Sequence, residues 1–351
     1  MGTRKVRMGV IGAGWFVSRR HLPVMVRHPE VEVAALCRRN PEALRRMAEH
    51  FGVSRVYTDY REMLEKEPLD AVLIATPHAL HYEQTKAALE RGLHVLVEKP
   101  MTVTRREGRE LVALAQERGL VLEVALNPPF WAHCHRMREW MGSEAFGELE
   151  AVEILWSVAS ISGRTAFGRK PLPAALPGVV PPTDFRFHVE LSGGGNLLDG
   201  GSHLISTLLW TTGRGVLEVM ALMDEVPLDA RASVLLRLDN GALAGIHHVA
   251  NTTMEERKRV REVYMGSGAT LTVEGQPFRL RWEPREGEER QETEADWPPA
   301  PQPVENFVDV ILGRAENLSP PEHGLAVVEV IEAAYESART GRAVPLKQEG
   351  V

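Results

Sequence analysis

Three polar side chains, Lys99, Asp199 and His203, stand where a reaction could use them. Lys99 lies in the triplet Glu98-Lys99-Pro100, after a short apolar run that reads as a strand. An ammonium at a strand's carboxyl end can donate to a substrate oxygen and stabilise developing alkoxide charge. The plainer alternative is a surface ion pair. Asp199 and His203 follow the glycine run Gly193-Gly194-Gly195 in a stretch whose leucines have helical spacing. At i and i+4 they share a helical face, and a carboxylate beside an imidazole suits a general base. Taken alone, such a pair is more often a structural hydrogen bond. A metal pair would need further ligands, and the only other cluster is His133-Cys134-His135. Adjacent residues rarely converge on one ion, so no metal is expected.

These residues need elements to position them. Gly12-Ala13-Gly14-Trp15-Phe16-Val17 lies between the strand-like Val6–Ile11 and a helical stretch, the context a dinucleotide-binding turn requires. The first glycine permits the tight turn and the second lets backbone amides approach a pyrophosphate. Val17 replaces the usual third glycine or alanine and is expected to loosen the helix–strand contact. Thr76-Pro77-His78, with His81, follows a third strand at the edge where α/β proteins bind ligands. Gly12, Gly14, Trp15, Phe16, Thr76, Pro77, His78, His81, Glu98 and Lys99 are therefore expected to surround a cofactor. The second strand ends at Cys37, and Arg38-Arg39-Asn40 follows instead of the acid that accepts from the ribose of NAD. Two guanidiniums there suit a 2′-phosphate, so NADP(H) is expected over NAD(H).

Strands alternate with helices as far as residue 125: helices at 41–49, 82–91 and 104–118, strands at 70–75, 93–97 and 121–125. The expectation is an α/β Rossmann domain with a doubly wound parallel sheet over 1–125. After Asn127-Pro128-Pro129 the strands lengthen and alternate, as in 147–157 and 232–238, and Asp239-Asn240-Gly241 signals a hairpin. Residues 126–351 are thus expected to form an α+β domain with an open, mainly antiparallel sheet, its C-terminal helix packing back on the first domain. The proline-rich stretch between Pro171 and Pro182 reads as a long irregular segment. Residues 283–296, with seven acids and two bases, read as a solvated loop.

Apolar residues form 44% and charged residues 25% of 351, ordinary for two globular domains. The net charge of −7 suggests neither a nucleic acid nor a membrane surface as partner. Two cysteines cannot make a disulfide framework, and no signal peptide or spanning segment is visible, so a cytoplasmic protein is expected.

Together these motifs resemble the glucose–fructose oxidoreductase/inositol dehydrogenase (Gfo/Idh/MocA) family over nearly the whole chain. The resemblance extends to Phe146-Gly147-Glu148, Phe185-Arg186, 265–269 and the segment 322–344. It implies a Rossmann domain followed by a substrate domain, and hydride exchange with a hydroxyl or carbonyl carbon of a sugar, cyclitol or related compound. Lys99 would then hydrogen-bond the reacting oxygen, Asp199 position the substrate and His203 exchange the proton. Arg186 and Asn127 would face the substrate. His78 stands where the family often has Asn. An NAD-dependent glycosidase acting by transient oxidation and a non-catalytic dinucleotide sensor are the alternatives. A homodimer or homotetramer through the open sheet is expected, because an uncovered apolar face usually finds a partner.

Overall fold

The computed structural model describes residues 5–157, 178–181, 183–249 and 259–346. The chain divides into two compact units. The first comprises Met1–Ala125 together with Pro171–Ser192 and Pro301–Leu325; the second comprises Leu126–Lys170, Gly193–Ala300 and Ala326–Val351. The first unit thus includes two later segments from beyond the boundary at residue 125 that the strand pattern suggests.

In the first unit six parallel strands lie in the order β3-β2-β1-β4-β5-β6. They are β1 (Val6–Ile11), β2 (Val31–Cys37), β3 (Val56–Tyr57), β4 (Ala71–Ile74), β5 (His94–Glu98) and β6 (Leu122–Ala125). Every residue of β4 and four of the five in β5 are buried, as continuous apolar runs require when helices cover both faces. The helices are α1 (Trp15–Arg19), α2 (His21–Met25), α3 (Pro41–Phe51), α4 (Tyr60–Lys66), α5 (His81–Glu90) and α6 (Arg105–Arg118). Caps explain where several begin. Asn40 accepts from the Ala43 amide at 2.9 Å, and Thr104 forms a capping box with Glu107. β3 and α4 carry too little apolar periodicity to be read from sequence. The stretch after the glycine turn, which reads as one helix, breaks at Arg20, and Pro23 falls in the first turn of α2, where its missing N–H costs least. Val17 is 1% exposed and packs within the core of the first unit.

The second unit holds a nine-stranded sheet, ordered β14-β13-β12-β11-β7-β10-β9-β8-β15. Before it comes α7 (Ala132–Met141). Its strands are β7 (Leu149–Ser157), β8 (Val216–Met223), β9 (Arg231–Leu238), β10 (Leu243–Val249), β11 (Arg259–Gly266), β12 (Ala269–Gly275), β13 (Arg279–Pro284), β14 (Arg290–Thr293) and β15 (Val344–Pro345). Among the described residues of this sheet, only β7 and β10 pair in parallel. The Asp239-Asn240-Gly241 hairpin forms, with Gly241 at φ +89°. Residues 283–296 are not wholly loop: β14 pairs with β13 as an edge strand. α8 (Val189–Ser192) and α10 (Pro303–Ile311) belong to the first unit. α9 (Ser202–Thr212) belongs to the second, and α11 (Pro321–Thr340) runs from the first into the second. The proline-rich positions 171–177 and 182 lie outside the described residues. Among the described residues, no helix is long and apolar enough to cross a membrane.

Candidate active site

The glycine turn is forced by close approach. Gly12 has φ +87°, and a Cβ there would stand 2.6 Å from the Ala75 carbonyl oxygen and 2.7 Å from the Thr76 methyl. No side chain fits where the ends of β1 and β4 meet. The amides of Gly12 and Ala13 donate to the Cys37 carbonyl at 3.0 and 3.1 Å, joining the turn to the end of β2. Arg38 begins there and folds back over the turn. Its Nη1 donates to the Ala13 carbonyl at 3.0 Å and lies 3.4 Å from where a Gly14 Cβ would be. Arg38 is half-buried and its Nε is buried without a partner among the described residues, whereas Arg39 is exposed. A planar cation against the glycine turn, with one donor unspent, fits an anion or an aromatic base beside the loop. Trp15 is stacked under Arg19, and Phe16, 38% exposed, sets its ring on edge against His21 at 5.6 Å.

At the ends of β4 and β5 the histidines are used differently from expectation. His81 is fully buried. Its Nδ1 lies 2.7 Å from the Pro100 carbonyl oxygen and its Nε2 2.9 Å from that of Thr76. Burial pulls its imidazolium below the usual range. Both nitrogens are occupied by the loops, so any influence on a cofactor passes through them. His78, also buried, lies with Nδ1 3.0 Å from the Ser192 carbonyl oxygen and meets the edge of the Phe185 ring. It fastens the segment carrying Arg186, whose guanidinium lies over Phe185 at 4.6 Å. The Thr76 hydroxyl donates to Gln84 at 2.6 Å. Glu98 is buried, 2.7 Å from His21 Nε2, while its other oxygen accepts from the Lys99 amide at 3.3 Å. Lys99 is half-buried immediately beyond β5.

In the second unit Asp199 occupies a π-helical turn, Leu197–Gly201, and His203 the first turn of α9. Such one-turn widenings cluster at functional sites. The turn is held from below by a buried carboxylate. Asp229 accepts from the Leu197 amide and the Tyr335 hydroxyl, both at 2.8 Å, and its carbonyl accepts from the Asn196 amide at 2.9 Å. The Gly195 amide donates to the Tyr335 hydroxyl at 3.0 Å. A Cβ on Gly195 would lie 2.3 Å from the Asp229 nitrogen, which is why glycine stands there. Burial pushes the Asp229 carboxyl up to about 6. The His248 ring packs against Gly200, 2.9 Å from where a Cβ would be. An aromatic group neighbours His203: Trp131 has its centroid 6.2 Å away, and Trp131 and Phe278 both stack on His133. Burial, with His135 nearby, pushes His133 down to about 3, so it is a neutral packing ring. Among the described residues no group of three or more His, Cys, Asp or Glu could hold a metal. Asn127 is half-buried at the start of a short 3-10 turn, where its carbonyl accepts from the Phe130 amide.

Sequence reasoning found the turns but missed what holds them: His21, Asp229 and Tyr335. Only His21 left a local signal, as a histidine between Arg20 and Leu22 in the helical stretch beside the glycine motif.

Residues 6–126 match the family model described as an oxidoreductase family with NAD-binding Rossmann fold, and residues 134–272 match the GFO/IDH/MocA C-terminal domain. A dTDP-3,4-didehydro-2,6-dideoxy-alpha-D-glucose 3-reductase of Saccharopolyspora spinosa is 33% identical over 70% of each chain. A D-xylose 1-dehydrogenase (NADP(+)) of Haloferax volcanii is 27% identical over 96% of this chain and 99% of its own. The fold matches the WlbA dehydrogenase of Bordetella pertussis, solved with NADH and UDP-GlcNAcA, with a TM-score of 0.81 at 24% identity, covering 99% of this chain and all of that one.

Proposed function

The chain belongs to the Gfo/Idh/MocA oxidoreductases, and on that premise we propose that it moves a hydride between NADP(H) and a hydroxyl or carbonyl carbon of a sugar, cyclitol or related small molecule. One observation carries the reading: a glycine turn with no room for a Cβ lies beside the end of β4, and Lys99 follows the next strand in the same sheet. The cradle at Gly12 and Gly14, the Arg38 guanidinium and the loops at Thr76-Pro77 and Glu98-Lys99 would hold the dinucleotide. When bound, its nicotinamide supplies the hydride acceptor or donor. Lys99 donates a hydrogen bond to the reacting oxygen, Asp199 orients the substrate and His203 holds or releases the proton at its imidazole. Arg186 and Asn127 contact the substrate.

The test is a survey of free sugars, cyclitols, their keto forms and nucleotide-linked sugars, following the absorbance of the reduced cofactor. Turnover of any of them supports the reading. A cleaved sugar with no net change in cofactor would instead mark a glycosidase, and cofactor binding without turnover a sensor. Cofactor preference is tested separately. With Arg38 against the turn, the wild type binds NADP(H) more tightly, and Arg38→Asp reverses the order. Equal or tighter NAD(H) binding by the wild type would overturn this.

A second copy of the chain covers the outer face of the nine-stranded sheet. Leu155, Met220, Leu222, Leu235, Leu243 and Met265 lie on that one face, with Leu222 70% and Leu235 and Leu243 58% exposed. An apolar patch of this kind marks an interaction surface. Light scattering at micromolar concentration should give a dimer or tetramer, and a monomer's mass would refute it. Buried, unpaired Cys37 and Cys134 suit a reducing cytoplasm.

A further inference from the structure

Two buried histidines grip the residues on either side of Lys99. On one side, His21 Nε2 lies 2.7 Å from a Glu98 carboxylate oxygen, and His21 and Glu98 are only 4% and 8% exposed. The other Glu98 oxygen accepts from the Lys99 amide, so the contact reaches the backbone of Lys99 itself. On the other side, His81 Nδ1 lies 2.7 Å from the Pro100 carbonyl oxygen. The opposite nitrogen of the same ring lies 2.9 Å from the Thr76 carbonyl oxygen, which ties the loop after β5 to the loop after β4. A neutral imidazole can donate to only one of these carbonyls, and a protonated one donates to both. In either state the ring lies between the loop after β4 and the loop after β5.

We propose that His21 and His81 are positioning residues that clamp the turn Glu98-Lys99-Pro100 and thereby aim the Lys99 ammonium. The assignment rests on the reading that Lys99 meets the reacting oxygen. The physical need is plain. Lys99 sits on a four-carbon stem outside regular structure, and a donor aimed at developing charge works only if its position is set before the reaction. Clamping the residues before and after it removes the backbone freedom of the turn and leaves only the side-chain rotamers to be chosen. Neither histidine needs to touch substrate. Two clamps also explain why costly buried polar groups are kept at this edge: each has its partner in the turn.

The experiment reads Lys99 directly. Free protein is acylated with sulfo-N-hydroxysuccinimide acetate, and each lysine is followed by peptide mass mapping, with Lys66 and Lys86 as references in the same molecule. In His21→Leu and His81→Leu, Lys99 is acylated severalfold faster relative to the references, while glutamine at either position, which retains a donor, restores the wild-type ratio. With the substrate identified by the survey, kcat falls about 10- to 100-fold in the leucine variants. KM holds, and cofactor affinity falls less than kcat, since the same loops also border the cofactor. Should a leucine variant fail to fold, asparagine, too short to bridge the same atoms, replaces it under the same criteria. Wild-type acylation ratios and wild-type kcat in folded variants would overturn the clamp. So would a loss confined to KM or cofactor affinity. Lys99→Met separates the two readings: if it is inactive while the histidine variants behave as wild type, the clamp alone fails. If it is active, the role of Lys99 fails, and the acylation ratio still decides the clamp.

Discussion

The turn that carries Lys99 and the turn that carries Asp199 are both held from beneath by buried polar groups, but of different chemistry. Around Lys99 the holding groups are imidazoles, against a carboxylate and two main-chain carbonyls. Around Asp199 they are a carboxylate and a phenol, Asp229 and Tyr335, receiving the amides of Leu197 and Gly195. Amides with unspent protons need an acceptor, so an acid is placed under them; carbonyls need a donor, so a histidine is. Where main-chain groups are held, the holding group follows from which half of the peptide bond the turn leaves unsatisfied, whereas His21 meets a side-chain carboxylate.

The largest effect should come from the histidine that follows the second turn, in the first turn of α9. His203→Asn is expected to lower turnover about 10²- to 10⁴-fold and to remove the acid limb of the oxidative pH–rate profile, where a protonated imidazole cannot take the proton. An unchanged profile would move the proton-exchanging role to Lys99 or a bound water. Lys99→Ala should cost about 10²–10³ in rate with cofactor titrations unaltered. Near-normal turnover would leave the first turn a cofactor cradle only.

The smallest effect sharpens the contrast in holding chemistry. Burial raises the folded Asp229 carboxyl to about 6 from an ordinary 3.8. The folded chain therefore holds that proton more tightly than the unfolded one. Its contribution to stability is full below about pH 4 and is lost as pH rises through about 6. The Tyr335 hydroxyl opposes that loss by donating to the carboxylate. Tyr335→Phe should thus cost about 1–3 kcal/mol at pH 8 and less at pH 5, read as thermal unfolding at both values. An equal loss at both would show that only the Gly195 amide depended on the phenol.

Much of this was legible in the residues. The βαβ alternation, Asn40 and Thr104 as caps, the glycine turn and the Lys99 triplet all declare themselves within a dozen positions, because local periodicity and backbone sterics write them. What holds the turns did not. His21 reaches Glu98 across 77 positions, and Tyr335 reaches Asp229 across 106. No spacing rule spans such distances, since the pairing depends on where strands come to lie. The place of His78 and His81 at the strand ends is legible in the sequence. Their orientation toward carbonyls rather than toward a ligand is set by packing that a pattern of residue types does not encode. The π-turn was likewise hidden inside a helical leucine stripe.

The apolar core of the first unit includes Val304, Phe307 and Val308 of α10, packed with Leu22, Met25 and Leu96. Those three side chains leave the ribosome about 180 positions after β6 is complete. The nucleotide fold is therefore begun early in synthesis and finished late. Through that interval a nascent chain carries a bare oily strip beside a nearly assembled sheet, a window in which chaperones would find their grip and in which a premature stop would strand the protein half-closed.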